Sequence, residues 1–277
     1  MEDQIGGSGD RRYAGADGVR RLARAPYPAQ RQQNIMRTLR ADRCIDAAEI
    51  ARTLGVTTET VRKDLIRLER QGLLRRVHGG AVPVDQVSFE PEVSARVEYA
   101  DDKERIAKAA LNHVPAQGAV LLDAGSTTAR LAGMFPADRP LTVFTNTLPI
   151  AVSLVTHPNL TVFTLGGRVR GRTLAEVDSW AARTLSEIHV DVAFLGTNGI
   201  SIDHGLTTPD PAEAGIKRLM LSAARRRILL ADHSKVGRVS LCKYGDLTQV
   251  DLLITDAGLP DDQLAALRAA GLDTERT

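Results

Sequence analysis

Apolar residues recur every three to four positions through the first third of the chain, as on one face of an amphipathic helix. Asp46, with Glu49 three residues later, forms a capping box that predicts the start of a helix. Gly55 can take the positive φ of a tight turn before the next helix, predicted over 58–71. With a first helix over 29–40, the pattern predicts three helices, the last two joined as a helix-turn-helix. Their apolar faces are Ile35, Met36 and Leu39, then Ile50, Ala51 and Leu54, then Val61, Leu65 and Leu68.

Residues 73–84 follow Gly72 and alternate enough between apolar and polar positions to predict two short antiparallel strands. Paired glycines between the strands would let one backbone approach another closely. Two strands after a helix-turn-helix form a wing, so residues 27–84 are predicted to be a winged helix-turn-helix. The tip of the wing carries Arg75, Arg76, His78, Gly79 and Gly80.

The polar face of the predicted helix over 58–71 is typical of a DNA recognition helix. Its N-terminal threonines and Arg62 would meet base edges in a major groove, whereas Lys63 and Arg67 would contact phosphates. Taken singly, these are ordinary surface residues, and a minority of winged helices bind protein instead. Together they predict DNA binding. The candidate DNA-binding residues are Thr57, Thr58, Thr60, Arg62, Lys63, Arg67, Arg75, Arg76, His78 and Gly79.

After residue 102, helical patterns alternate with short β-rich runs, which predicts a doubly wound α/β domain. Four segments are expected: a disordered extension over 1–26, the winged helix over 27–84, a linker over 85–101 and the α/β domain over 102–277. Strands are predicted over 119–122, 141–145, 160–165, 192–195, 227–230 and 252–255. Helices are predicted over 127–135, 148–156, 174–188, 211–224 and 261–270.

Charge is distributed unevenly along the chain. The formal net charge is +2, but residues 29–84 carry 11 basic and 6 acidic side chains, whereas residues 85–277 carry 20 and 24. Positive charge on the small module is the footprint of a nucleic-acid binder. The two cysteines fit neither a disulfide framework nor a zinc site, and no apolar run would span a bilayer. We therefore expect a cytoplasmic protein without metal, cofactor or membrane contact.

Small and polar residues follow several of the predicted strands, where ligands bind in an open parallel sheet. The first strand runs through Asp123 and Gly125 into a helix, a turn that suits a phosphate or serves only as a good N-cap. Glu213 and Lys217, one turn apart, would face the same rim or form a surface ion pair. The candidate effector-binding residues are Asp123, Gly125, Ser126, Thr127, Thr128, Asn146, Gly166, Gly167, Arg168, Asn198, Glu213, Lys217 and Lys235.

These motifs resemble the DeoR/GlpR family of bacterial sugar-metabolism repressors. The resemblance rests on Thr57-Thr-Glu-Thr-Val-Arg-Lys-Asp-Leu65, Arg76-Val-His-Gly-Gly-Ala81, Asp123-Ala-Gly-Ser-Thr-Thr128, Glu213-Ala-x-x-Lys217 and Asp232-His-Ser-Lys235. It implies an effector domain similar to ribose-5-phosphate isomerase. By that resemblance Ser126, Thr127 and Thr128 would hold a phosphate. The sugar side would be lined by Asp123, Asn146, Glu213, Lys217 and Lys235.

The resemblance implies a repressor that binds an operator as a dimer or tetramer and is released by a phosphorylated sugar. Arg168 and Arg170 follow a glycine pair in a version similar to actinobacterial fructose-operon repressors, which makes fructose 1-phosphate the first candidate effector. Residues 171–185 depart from the glycine-containing version of other branches, so the effector does not transfer safely. The alternatives are a sugar-phosphate isomerase-like enzyme with a fused DNA module, and a protein-binding adaptor. A regulator gains nothing from destroying its signal, which favours sensing over catalysis.

Overall fold

The computed structural model describes residues 26–42, 45–71, 73–77, 79–83, 96, 98–136 and 138–277. The predicted extension over 1–26 lies outside these residues except for Pro26. His78 and most of the predicted linker also lie outside them.

The N-terminal module contains the predicted helices and a wing with one more strand than expected. Asp46 accepts hydrogen bonds from the backbone N–H groups of Ala48 and Glu49, at 2.8 and 2.9 Å, and so caps the second helix. Gly55 ends that helix with φ +64°. The elements are α1 Pro28–Asp42, β1 Ile45–Asp46, α2 Ala47–Leu54, α3 Thr58–Arg70, β2 Leu74–Val77 and β3 Gly80–Pro83.

The three helices and the wing enclose one small core. Ile35 of α1, Ala51 of α2, and Val61 and Leu65 of α3 are buried in it, as their helical spacing predicts. The added strand β1 pairs with β3, giving the order β1-β3-β2. A Cβ atom at Gly80 would lie 1.8 Å from the Ile45 carbonyl oxygen, so this pairing requires glycine.

The remainder of the described chain forms an α/β domain. Its first half contains α4 Ala100–Ala110, β4 Gly118–Leu122, α5 Ser126–Gly133, β5 Leu141–Thr145, α6 Leu148–Leu154, β6 Leu160–Thr164, β7 Arg168–Val169, β8 Glu176–Val177 and α7 Asp178–Ser186. Its second half contains β9 Val190–Gly196, β10 Gly199–Ser201, β11 Gly205–Thr208, α8 Pro211–Ala223, β12 Ala224–Leu230, β13 Cys242–Gly245, β14 Leu252–Thr255, α9 Asp261–Ala269 and β15 Thr274–Arg276.

A seven-stranded parallel sheet organises this domain, with the order β15-β14-β12-β9-β4-β5-β6. The chain winds from β4 outward to β6 and then returns to β9 on the other side of β4. The strand order therefore reverses between β4 and β9. In doubly wound sheets ligands bind at this switch point, beyond the carboxyl ends of the strands.

The sheet separates two cores. On one face Ile106 of α4, Leu131 of α5 and Ile150 of α6 pack together with side chains of the strands. On the other face α7, α8 and α9 pack with the antiparallel strands β10, β11 and β13. The predicted doubly wound architecture is confirmed.

Three expectations about local structure were incomplete or wrong. Residues 174–177, predicted as helix, instead include β8, which pairs with β7 in a hairpin, and α7 begins only at Asp178. Helix α4 begins at Ala100, inside the segment predicted as linker. The short strands β10, β11, β13 and β15 were not predicted. Three or four residues carry too little periodicity to identify a strand that depends on long-range pairing.

Candidate nucleic-acid interface and effector cavity

Helix α3 presents the predicted basic surface of the N-terminal module. The side chains of Arg62, Lys63 and Arg67 are exposed, opposite the buried apolar face. The Thr57 hydroxyl accepts a hydrogen bond from the backbone N–H of Thr60 at 3.2 Å, so it caps the helix. The two threonine hydroxyls also lie 2.9 Å apart. Thr57 and Thr60 thus help to start the recognition helix, while Thr58 stands in its first turn, half-buried.

In the wing, Arg76 forms an ion pair within the N-terminal module that its sequence did not predict. Arg76 donates from Nε to Glu69 of α3 at 2.6 Å, and its backbone N–H donates to the same carboxylate at 2.9 Å. The Arg76 side chain and backbone therefore both lower the pKa of Glu69. This contact attaches the wing to the recognition helix. Gly79 lies in the turn between β2 and β3 with φ +82°, and Arg75 belongs to β2.

In the α/β domain a cavity lies at the switch point of the sheet. It encloses about 530 Å³, a volume that includes space open to solvent. Eight of the thirteen predicted effector-binding residues line it. They are Gly125, Ser126, Thr127, Thr128, Asn198, Glu213, Lys217 and Lys235.

One wall of the cavity is the first turn of α5. Gly125 precedes the helix, and no side chain of the described residues caps it. The first backbone N–H groups of a helix lack intrahelical partners and carry partial positive charge, so they favour an anion. The Thr128 hydroxyl donates to the Gly125 carbonyl oxygen at 3.0 Å, which holds the turn in shape. The turn is thus arranged for a ligand that carries negative charge.

Two lysines face this turn from other elements. Lys103 of α4 is buried and donates to the Arg96 carbonyl oxygen at 3.2 Å and to that of Glu98. Burial lowers the pKa of Lys103, and burial also lowers the pKa of Lys235 to about 8 although Asp232 opposes this. A bound anion would offset the cost of burying these ammonium groups.

Behind the turn, two buried charges join the strands of the switch point. The Lys217 ammonium of α8 contacts the Asp123 carboxylate and donates to the Gly196 carbonyl oxygen at 2.9 Å. The backbone N–H of Gly196 donates to the same carboxylate at 2.9 Å. Burial lowers the pKa of Lys217, but the adjacent Asp123 and Tyr244 more than offset this and the net shift is upward. Lys217 is therefore held as a cation at the cavity.

The second carboxylate of the cavity is also ion-paired. Glu213 of α8 accepts hydrogen bonds from Arg170 and from the Thr173 hydroxyl, both on the β7–β8 hairpin. Arg170 also contacts Asp210 at 3.0 Å. Since Asp210 caps α8 through the N–H groups of Ala212 and Glu213, the hairpin is fastened to the start of this helix.

Five predicted residues do not line the cavity. Asp123 and Asn146 are buried beneath it, where Asn146 Oδ1 accepts a hydrogen bond from the Ala124 N–H at 2.8 Å. Gly166 and Gly167 lie beside β8 instead, and Arg168 is exposed and pairs with Asp178 at 2.6 Å. Gly166, Gly167 and Arg168 follow the carboxyl end of β6, as predicted. They remain outside the cavity because β6 lies two strands away from β4 at the switch point.

Several lining residues were missed by the prediction. Arg96 and Lys103 come from the predicted linker and the helix after it, so no strand end marked them. Thr173 is brought in by the hairpin, of which residues 174–177 were predicted as helix. Thr197 and Asp232 stand next to predicted residues at strand ends. The residues concerned are Arg96, Lys103, Thr173, Thr197 and Asp232.

One group of side chains near the cavity has the composition of a cation site. Ligand atoms of Asp102, His233 and Asp256 lie within 4.8 Å of one another. Asp256 already accepts hydrogen bonds from the N–H and Nδ1 of His233, each at 2.7 Å, and from the Gly258 N–H at 2.8 Å. Asp256 is therefore already engaged by three donors of its own chain, and its contacts describe a structural network.

Both domains of the chain match known protein families. Residues 31–87 match a DeoR-like helix-turn-helix domain, and residues 98–257 match the DeoR C terminal sensor domain. The chain belongs to the DeoR family of transcriptional regulators. In this chain the helix-turn-helix domain precedes the sensor domain.

Three named transcriptional regulators are similar to this DeoR-family chain over most of its length. The HTH-type transcriptional regulator GlpR of Haloferax volcanii is 35% identical over 88% of this chain and 96% of its own length. A putative aga operon transcriptional repressor of Escherichia coli O157:H7 is 32% identical over 88% and 92%. The transcriptional repressor GlcR of Bacillus subtilis is 32% identical over 83% and 89%. These names support a regulator rather than an enzyme.

Among solved structures, the ribose 5-phosphate isomerase A of Methanocaldococcus jannaschii matches 50% of this chain and 54% of its own, with a TM-score of 0.37 and 17% identity.

Within the described part of the DeoR-family chain, no helix has both the length and the apolar character needed to cross a membrane.

Proposed function

We propose that this chain is a repressor whose α/β domain binds a phosphorylated sugar in the switch-point cavity and whose winged helix then releases its operator. The observation that carries this proposal is the cavity itself. Four cationic side chains line it, with two carboxylates, and the uncapped first turn of α5 faces the same space. The charged lining residues are Arg96, Lys103, Lys217, Lys235, Glu213 and Asp232.

The phosphate is assigned to the first turn of α5. Backbone N–H groups there, with the hydroxyls of Ser126 and Thr127, would donate to phosphate oxygens. Lys103 and Lys235 would neutralise the charge from the opposite side. Because both ammonium groups are largely buried, an anion between them gains from a low local dielectric.

The sugar is assigned to the other end of the cavity. Asn198, Thr197 and Lys217 offer hydrogen-bond donors and acceptors there, and Glu213 offers a carboxylate. Hydroxyl-rich ligands are selected by such groups because an analogue that lacks a hydroxyl leaves a buried partner unsatisfied. Fructose 1-phosphate is the first compound to test, since Arg168 and Arg170 follow the glycine pair as in fructose-operon repressors.

The contacts of the two candidate bases favour sensing over isomerisation. A general base must be able to reach and accept a substrate proton. Asp123 is buried beneath the cavity and paired with Lys217, and Glu213 is paired with Arg170. Both carboxylates are thus already ion-paired, which disfavours either of them as the base that accepts a substrate proton.

Operator binding is assigned to α3 and the wing, and the cytoplasm is its expected location. One recognition helix contacts only a few base pairs, so a dimer or tetramer that presents several half-sites is part of the proposal. The effector would act by changing the relative affinity of two states of this assembly for DNA.

The direct test is fluorescence-anisotropy binding of the full chain to the DNA upstream of its own gene, at fixed salt, with sugar phosphates titrated in. Loss of binding with fructose 1-phosphate or a related compound is the expected result. Equal operator affinity with and without every compound of the panel would contradict the effector role. Absence of salt-dependent, sequence-specific binding would contradict the repressor role itself.

A further inference from the structure

Exposed apolar side chains gather at one edge of the parallel sheet. Trp180 is 76% exposed and Val152 is 70% exposed. Seven of the eleven large apolar residues that are exposed in the described chain belong to β6 and its neighbours α6, α7 and the β7–β8 hairpin. We call this set the edge patch. It consists of Leu148, Val152, Val155, Phe163, Val169, Leu174 and Trp180.

The edge patch is continuous around β6. Leu148 and Val152 lie on one face of α6, and Val155, directly after the helix, extends this stripe at i+7. The hairpin joins this stripe, because the Thr147 hydroxyl donates to the Leu174 carbonyl oxygen at 3.0 Å. On the other face, Phe163 stacks on Phe144 with ring centroids 5.1 Å apart.

Helix α7 extends the patch on that second face. The Thr184 hydroxyl donates to the Leu165 carbonyl oxygen at 3.0 Å, which fixes α7 beside the end of β6. It also contacts the Trp180 carbonyl oxygen at 3.2 Å, one turn earlier in the helix. The most exposed aromatic side chain of the patch therefore stands close to the uncovered strand.

The strand at this edge lacks the usual protection. Sheet edges in soluble proteins carry charges or proline that prevent pairing with another chain. β6 reads Leu-Thr-Val-Phe-Thr and carries neither, whereas β15 at the opposite edge carries Glu275 and Arg276. Those two charges pair with His113 and Asp261. A group of exposed apolar side chains gathered on one edge is typical of an interaction site.

We propose that the edge patch is where two copies of this chain pair. The choice of occupant rests on the proposed function, because a regulator with one recognition helix per chain requires a second copy to read two half-sites. A two-fold axis places the same surface on both sides of the interface. An uncharged strand flanked by apolar side chains is self-complementary in this arrangement, because β6 brings no charge of its own into the pairing.

The interface assigned here reaches the cavity through the β7–β8 hairpin. Arg170 and Thr173 point toward Glu213 on the inner side, while Val169 and Leu174 are exposed on the outer side. Leu174 has φ +56°, a conformation that L residues rarely adopt. Pairing of copies and occupation of the cavity thus act on the same ten-residue stretch, 168–177.

The test compares the full chain with the double variant Val152→Glu/Val155→Glu, because glutamate preserves helix propensity on an exposed face. Sedimentation equilibrium should give a dissociation constant of the assembly raised more than about tenfold. Ile202→Glu is the matched control, since Ile202 is 54% exposed but lies on the β10–β11 turn, outside the patch. It should leave the constant within about twofold. Thermal unfolding by circular dichroism checks that all three chains fold.

Hydrogen exchange locates the interface independently. Amides of 160–164 and 168–177 should exchange faster in the double variant than in the assembled wild type. An unchanged dissociation constant, a monomeric wild type, or unchanged exchange in these segments would overturn the proposal.

Binding of fructose 1-phosphate and of operator DNA is measured on the same samples. A chain that binds both as a monomer contradicts this interface alone, whereas one that pairs here but binds neither contradicts the proposed function alone.

Discussion

The ammonium group of Lys217 lies against the carboxylate of Asp123, 94 residues earlier in the chain, and both groups are buried. Asp123 stands at the end of β4, and Lys217 is on α8. The same carboxylate accepts the Gly196 N–H at the end of β9. One ion pair therefore holds together the two central strands and the helix that form the floor of the cavity.

Removal of one member of this pair should destabilise the domain strongly. Asp123→Ala leaves the Lys217 charge buried without its partner, which costs about 3–5 kcal/mol in the free energy of unfolding. The double variant Asp123→Leu/Lys217→Met removes both charges and should recover much of that loss. Urea unfolding of the single and double variants measures the difference. Equal losses in both would mean that the unpaired Lys217 charge is not the cause of the destabilisation.

Phosphate affinity should fall as pH rises through about 8, because burial lowers the pKa of Lys235 to about 8. Below that pH the ammonium group is charged and attracts the anion, and above it the attraction is lost. Calorimetric titration with inorganic phosphate from about pH 7.5 to pH 9.5 measures the change. Lys235→Arg stays charged throughout this range and should flatten the pH profile. A wild-type affinity that is constant across it would remove Lys235 from the phosphate site.

The same pKa has a consequence for stability with the opposite sign. Between about pH 8 and pH 10.4 the unfolded chain holds a proton at Lys235 that the folded chain has released. The contribution of this group to the free energy of unfolding therefore rises with pH in that window.

Two neighbouring residues of α3 should affect DNA binding differently. Arg62→Ala should weaken binding to the specific operator by about 1–3 kcal/mol, because Arg62 is assigned to base edges. Lys63→Ala should weaken binding to all DNA and reduce the salt dependence, because Lys63 is assigned to phosphates. Anisotropy titrations over a range of salt concentrations separate the two effects. Unchanged binding by both variants would place this helix outside the groove.

A buried carboxylate also determines the stability of the winged helix. Asp64 of α3 accepts hydrogen bonds from Arg31 Nε at 2.7 Å and from Gln32 Nε2 at 3.2 Å, both on α1. Asp64→Ala should leave Arg31 largely buried without its carboxylate and cost about 3 kcal/mol in the free energy of unfolding.

A matched control is available on the surface. Arg183 and Glu187 pair at 3.0 Å on α7 but are mostly exposed, so Glu187→Ala should cost less than about 1 kcal/mol. Chemical denaturation of each full-length variant provides the comparison. If the two losses were similar, burial of Asp64 would not strengthen its contact.

Much of this protein could be predicted from local patterns. The helical spacing of Val61 and Leu65, the Asp46 cap and Gly55 specify the helix-turn-helix, since they act within one or two turns. Runs such as 141–145 and 252–255 appear as strands at the predicted bounds. The turn from Asp123 to Thr128 indicated a phosphate site because its chemistry is contained in six consecutive residues.

Only the tertiary structure decided which distant residues meet. Lys103 enters the cavity from α4, and Arg170 reaches Glu213 through a hairpin whose second strand was predicted as the start of a helix. Arg168, two residues earlier, turns outward to Asp178. These outcomes depend on strand order and pairing between segments far apart in the chain. The sequence by itself therefore determined the elements and the DNA-binding module, whereas burial and long-range packing decided which charges share the cavity.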